Sequence, residues 1–358
     1  MKELEKMTLR EKIGQLFIVL PGALEQAGGE FLGGTELTDA MRDRYVQYPF
    51  GGFCLLRGNL EGPEQLRRFT AALHTLGPVR PVLTIDEEGG QIARIANHPA
   101  GFDVPHMAHT SEIGRSHDPE QAYSAGNRIG QYLKGYGLDV DFAPVADVLT
   151  NPDNQLMRNR SYGSDPDEVA AMAVACLEGL RAAGILGCLK HFPGHGNTVM
   201  DTHEGKAETR RTWEEMRSCE MRPFEAGIRA GVRMIMTAHV SVPAITGTDV
   251  PATLSGTMLT GKLRGELGYD GVIITDALSM GAIHSRYTPE EAAVGAFLAG
   301  ADLLLLPADP KAAFEGMVRA VEDGRISTER LDGSVRRILD LKDRIAAGAL
   351  TEGGRTGI

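Results

Sequence analysis

No stretch of this chain approaches the ~18 consecutive apolar residues that a membrane-spanning helix needs, so no membrane span is expected. The first residues do not read as a secretory leader either. Lys2 and Lys6 alternate with Glu3 and Glu5, the apolar run at 16–20 is too short, and no small-residue cleavage site follows. Cysteine is scarce. Cys54, Cys176, Cys188 and Cys219 are scattered with no C-x-x-C pair, and Cys54 and Cys188 lie inside apolar runs, where a free thiol acts as a small hydrophobe. A reducing, cytoplasmic setting is the expectation. Positive charge is in deficit: 37 Lys and Arg stand against 48 Asp and Glu, a net charge of −11. That balance argues against nucleic acid and anionic membranes as partners. No block of like charges marks an interaction tail.

What is present is a large apolar fraction, 42% of 358 residues, arranged as short runs separated by helical stretches. Eight runs read as strands: residues 17–20, 52–56, 82–86, 140–143, 187–191, 234–239, 272–276 and 302–306. Several are near-continuous in aliphatic residues, as strands covered on both faces should be. The stretches between them carry helix punctuation. Thr8 to Glu11 forms a capping box, and Thr288 with Pro289 and Glu291 forms another. Gly137, Gly184, Gly231, Gly268, Gly300 and Gly324 fit helix stops. Alternation with eight strands predicts an α/β fold, a single-domain (β/α)8 TIM barrel over residues 1–346, with a loose Gly-rich tail at 347–358. An open doubly wound sheet is the structural alternative. Residues 99–119 read as a long loop after the third strand.

Polar residues then fall in a telling place. A barrel places its chemistry at the C-terminal ends of its strands. Several of the runs end in Asp86, Lys190 and His191, His239 or Asp276, with Arg57 just after the second. A buried Asp after Val272-Ile273-Ile274-Thr275 is costly unless paired or used. The densest segment is K-H-F-P-G-H-G-N-T-V-M-D-T-H, residues 190–203. In it Asp201 lies two residues before His203, close enough to fix the imidazole tautomer and raise its basicity. Gly194 and Gly196 would let such a loop swing, and His195 would brace its turn. A metal is not expected. A dinuclear barrel hydrolase needs a His-x-His pair at the end of its first strand, and the first histidine here is His74. His191 and His195 flank a Pro-Gly turn and are no helical i, i+4 pair. No cofactor is implied.

These residues resemble the family 3 glycoside hydrolases, in particular the bacterial β-N-acetylglucosaminidases. The likeness runs along nearly the whole chain. It includes I-D-E-E-G-G from Ile85, A-P-V-A-D-V from Ala143, N-R-S-Y-G-S-D-P from Asn159, K-H-F-P-G-H-G with D-x-H, and G-V-I-I-T-D-A-L-S-M from Gly271. The resemblance implies Asp276 as nucleophile and His203, oriented by Asp201, as acid/base. It implies Asp86, Arg94, Arg160, Lys190 and His191 as the residues that grip the sugar. Family members often have Gln at Glu87, Arg at Gln91 and Asp at Asn197; the first two departures flank the sugar-binding Asp86.

The expectation is a retaining, exo-acting β-N-acetylglucosaminidase that releases N-acetylglucosamine from peptidoglycan-derived muropeptides, as a monomer. A retaining glycosidase needs an anionic nucleophile on one face of the sugar and a proton donor across the scissile bond. Many family 3 β-glucosidases take their acid/base from a second domain; with the chain ending soon after its eighth run, the resemblance leads to the expectation that Asp201 and His203 supply that proton. A phosphorylase stays open, because a neutral imidazole repels incoming phosphate less than a carboxylate would. A β-glucosidase on the same barrel stays open too, as does a sugar-binding protein without turnover.

Overall fold

The computed structural model describes residues 4–25, 34–201 and 206–350. Among them fourteen short strands occur in chain order. They are β1 Phe17–Val19, β2 Gly52–Leu55, β3 Val82–Ile85, β4 Glu87–Gly89, β5 Ile92–Ala93, β6 Val140–Asp141, β7 Leu186–Gly187, β8 Leu189–Phe192, β9 Val199–Asp201, β10 Lys206–Glu208, β11 Met234–Thr237, β12 Val240–Ser241, β13 Val272–Ile274 and β14 Leu304–Leu305. Each of the eight apolar runs contains a parallel strand, the fifth split into β7 and β8. Helices intervene, and their apolar spacing explains how they pack. The helix Pro63–Leu73 buries Leu66, Phe69, Thr70 and Leu73, the i, i+3, i+4, i+7 stripe that faces a sheet. Both predicted capping boxes form, Thr8 with Glu11 and Thr288 with Glu291. All six predicted stop glycines have positive φ, 83° at Gly184 and 78° at Gly231, a conformation that costs other residues a Cβ clash.

The fold is α/β and barrel-like, but its sheet does not close as one continuous ladder. Six strands pair in the order β14-β1-β2-β3-β6-β7, and three in the order β13-β11-β8. Single bridges, Val145 to Lys190 and Ile274 to Leu303, span the two gaps. The expected closed (β/α)8 barrel is corrected to that extent, and the reasons are chemical. Pro144 follows β6 and has no N–H to donate to the next strand. Between β13 and β14, side chains take over ladder bonds. The Asp302 carboxylate accepts Ile273 N at 3.0 Å, and the Thr275 hydroxyl accepts Leu305 N at 2.9 Å.

Two hairpins stand at the C-terminal ends of the strands. β4 and β5 pair antiparallel directly after β3. β9 and β10 pair antiparallel, and β10 runs parallel to β12, which follows β11. The latter segment, read from sequence as a swinging loop, is a strand pair fixed to the rim along its described part. No helix among the described residues is long and apolar enough to cross a membrane.

Candidate active site

Three consecutive acids, Asp86, Glu87 and Glu88, leave β3 and enter β4. Extended chain alternates its side chains, so Asp86 and Glu88 face one way and Glu87 the other. Lys190, on β8, reaches both members of the first pair. Its Nζ is 3.0 Å from Asp86 Oδ1 and 2.7 Å from Glu88 Oε1. Arg160 grips Glu88 at two points, Nε at 2.8 Å and Nη2 at 2.7 Å, the fork geometry that suits a carboxylate. Arg94 Nη2 lies 3.3 Å from Asp86 Oδ2. Two carboxylates thus alternate with three cations. Lys190 is 2% exposed. Burial alone would drive its proton off, but Glu88 and Asp86 outweigh that and hold it above the ordinary lysine range. Burial likewise pushes the Glu88 carboxyl up, and Lys190 and Arg160 pull it far below the carboxylate range.

Glu87 is fully buried on the opposite side. Its carboxylate accepts Ile95 N and Ala96 N at 2.9 Å each and the Tyr132 hydroxyl at 2.8 Å. It ties the start of the β4–β5 segment to its end, around Arg94. Gln91, the other departure beside Asp86, is exposed and accepts from Asn159 Nδ2 at 3.2 Å.

His191 follows Lys190 and packs against Asp147, which is completely buried. His191 Nδ1 is 2.7 Å from Asp147 Oδ2, while Asp147 Oδ1 accepts the backbone N–H of His195 at 2.6 Å. The other ring nitrogen, Nε2, is 3.5 Å from Arg160 Nη2. His195 braces the turn with its ring against Thr198 Oγ1 at 2.9 Å, and burial lowers its pKa against the opposing pull of Asp147.

Asp276 lies just beyond β13, partly accessible, with Oδ1 accepting its neighbour Ala277 N at 2.7 Å. Burial would raise its carboxyl, but His239, His191, the Ala277 N–H and Lys190 together bring it below its ordinary value. His239 is buried at the end of β11. Its Nε2 is 2.9 Å from Ala277 O and its Nδ1 2.9 Å from Thr253 Oγ1, so it braces the peptide that follows Asp276. A carboxylate kept anionic, beside a compact set of fixed donors and acceptors, can attack an electrophilic carbon while polar groups hold a hydroxyl-rich ligand.

The fold therefore brings together six of the eight residues singled out in the sequence: Asp86, Arg94, Arg160, Lys190, His191 and Asp276. Asp201 ends β9 opposite Lys206, one rung beyond the pairing of Ala207 with Val240, at the level of His239. Its side chain, and His203 entirely, lie outside the described residues. Arg57, also noted at a strand end, is exposed and turns to Asn97 O at 3.1 Å. Glu88 and Asp147 were missed. Period-two alternation from Asp86 would have found Glu88; the isolated Asp in A-P-V-A-D-V was the only signal for Asp147. Among the described residues no cluster of three His, Cys, Asp or Glu side chains is arranged to hold a metal ion.

The model of the glycosyl hydrolase family 3 N terminal domain matches residues 8–341. The chain belongs to glycosyl hydrolase family 3. A β-hexosaminidase of Stenotrophomonas maltophilia (strain K279a) is 35% identical over 312 residues, covering 85% of this chain and 89% of that protein. β-Hexosaminidase A of Pseudoalteromonas piscicida is 33% identical over 340 residues, or 87% of this chain. This family 3 chain spans only 56% of the Pseudoalteromonas protein. Among solved structures, a glycoside hydrolase family 3 β-N-acetylglucosaminidase from Paenibacillus sp. str. FPU-7 superposes with a TM-score of 0.88 at 36% identity. That match covers 98% of this chain and 65% of the other.

Proposed function

We propose that this family 3 chain is a retaining, exo-acting β-N-acetylglucosaminidase. The observation that carries the reading is Asp276: a carboxylate held anionic at a strand end, beside the Asp86, Glu88, Lys190, Arg160 and Arg94 cluster. The names of its relatives, β-hexosaminidases and a β-N-acetylglucosaminidase, support the same substrate class. In the proposed cycle an Asp276 oxygen attacks the anomeric carbon and the glycosidic bond breaks. His203, oriented by Asp201, gives its proton to the departing oxygen. The neutral imidazole then takes a proton from water, whose oxygen displaces Asp276 and restores the β-configuration. Asp86, Arg94, Arg160, Lys190 and His191 hold the sugar. The substrate class proposed is a terminal N-acetylglucosamine on peptidoglycan-derived fragments such as 1,6-anhydro-N-acetylmuramyl peptides, met in the cytoplasm.

The test is hydrolysis of an aryl β-N-acetylglucosaminide, followed by proton NMR of the first product, with an aryl β-glucoside as control. The β-anomer should form first. Asp276→Ala should cost on the order of 10⁴-fold or more in kcat, as removal of a covalent nucleophile does elsewhere. His203→Ala should slow poor leaving groups and spare very good ones. Full activity in Asp276→Ala would sink the reading. A sugar 1-phosphate formed in phosphate buffer would replace it with phosphorolysis, and preference for the glucoside would replace the substrate class.

A further inference from the structure

We propose that Asp147 is a positioning residue that locks His191 in its Nδ1–H tautomer, leaving Nε2 as a hydrogen-bond acceptor for a sugar hydroxyl. The assignment follows from what flanks the ring. On one side, Asp147 Oδ2 is 2.7 Å from Nδ1. A carboxylate only accepts, so Nδ1 carries the proton. On the other side, Arg160 Nη2 is 3.5 Å from Nε2, and a guanidinium only donates. A proton on Nε2 would face an N–H of Arg160, so both neighbours select the same neutral ring.

Asp147 is suited to this task. It is fully buried, and its second oxygen is occupied by the N–H of His195 at 2.6 Å and faces that of His191 at 3.4 Å. The carboxylate therefore cannot rotate away from the ring without stranding a buried donor. Burial alone would raise the Asp147 carboxyl, yet its contacts with His191 and His195 bring it below its ordinary value. It stays the acceptor that the arrangement needs.

The consequence is a division of labour between adjacent residues. Lys190, Arg94 and Arg160 can only donate, whereas a sugar hydroxyl both donates and accepts. His191 Nε2 adds an acceptor beside Arg160, so one hydroxyl can accept from the guanidinium and donate to the imidazole. This role rests on the glycoside reading above.

The experiment combines a spectrum with binding. Long-range proton–nitrogen correlation of the imidazoles, with His191→Gln to assign the signal, should show the Nδ1–H ring in the unmutated protein at pH 7. Asp147→Asn should invert it. The amide oxygen would keep the His195 N–H, and the amide NH2 would then donate to Nδ1 and move the ring proton to Nε2. In that variant the affinity for N-acetylglucosamine should fall at least tenfold. kcat/KM on the aryl glycoside should fall by about 100-fold or more, since a wrong tautomer in a hydrolase triad costs up to about 10⁴. An Nε2–H or doubly protonated His191 in the unmutated protein overturns the proposal, and this holds even if Asp147→Asn fails to fold. A folded Asp147→Asn with undiminished N-acetylglucosamine affinity overturns it as well. An Nδ1–H ring in a protein that does not turn over the glycoside overturns the proposed function and supports the tautomer.

Discussion

At Asp276 two effects oppose each other. Burial favours the protonated carboxyl, while His239, His191, the Ala277 N–H and Lys190 favour the anion, and the carboxyl ends below its ordinary value. The sign of the pH effect follows. A depressed pKa keeps the nucleophile anionic at neutral pH, and the nucleophile itself is lost only as pH falls through the depressed value. In His191→Gln, where no imidazole titrates at that position, the acid limb of kcat/KM should therefore lie below the ~4 of an unperturbed Asp. Brief assays across an acid series would check it; an acid limb centred above about pH 5 would contradict the arrangement. Glu87 and Glu88 show why residue roles were only half legible. They are identical neighbours in sequence, but one is neutralised by Lys190 and Arg160 and the other is held by backbone N–H groups of residues 95 and 96. Those partners come from other segments, and no local pattern names them.

At the scale of elements, the segment between β8 and β9 departs most from its sequence reading. Its glycines suggested freedom, yet they serve close packing. A Cβ on Gly196 would sit 2.0 Å from Val148 O, and one on Gly194 would sit 2.9 Å from Glu220 Cγ. Asn154 Nδ2 donates to His195 O at 2.8 Å, and Asn197 bridges Thr150 and Thr209 at 3.0 and 2.9 Å. The base of the β9–β10 hairpin is thereby stitched to the loop that carries Arg160. Gly196→Ala should cost about 1–3 kcal/mol of stability, the range for overpacking a filled site, and should impair activity with it. Gly333 lies within the helix Thr328–Ala346, and a Cβ there would meet nothing within 4 Å. At that position Gly333→Ala should stabilise by roughly 0.5–1 kcal/mol. Urea unfolding of the two variants should thus give shifts of opposite sign.

For the whole molecule, the two ends of the strands do different work. The C-terminal ends hold the charged site, whereas the N-terminal ends are tied to the last helix through Lys342. Its buried Nζ donates to Gln15 Oε1 at 2.6 Å, before β1, and to Gly51 O at 2.7 Å, before β2. Burial pulls its pKa down to about 7, only partly opposed by Asp139. Between that value and the ~10.4 of an unfolded lysine, the unfolded chain binds the extra proton. Stability from this group is therefore full above the unfolded value and falls as pH drops towards the folded one. Compared with Lys342→Met, the unmutated protein should gain stability as pH rises from about 7 to about 10, by at most about 1.4 kcal/mol per unit. Parallel denaturant titrations at several pH values would show it; a flat difference would mean that Lys342 stays charged in the fold.

The eight strands and their order could be read from sequence because strands buried on both faces must be apolar along their length, whatever their neighbours are. Helix caps and stops were equally legible, since a Thr three residues before a Glu, or a Gly after a helix, acts through bonds within one turn. The residue types of the site were legible too, as polar groups ending apolar runs. Only the tertiary structure decided how the sheet closes, because Asp302 and Thr275 replace ladder bonds with side-chain bonds that leave no periodic trace. It alone decided the charge states as well. Lys190 keeps its proton and Glu88 loses its own because residues 72 and more positions apart in the chain are packed together out of water. Sequence carries the local constraints, while charge in a buried site depends on which partners the fold brings within about 3 Å.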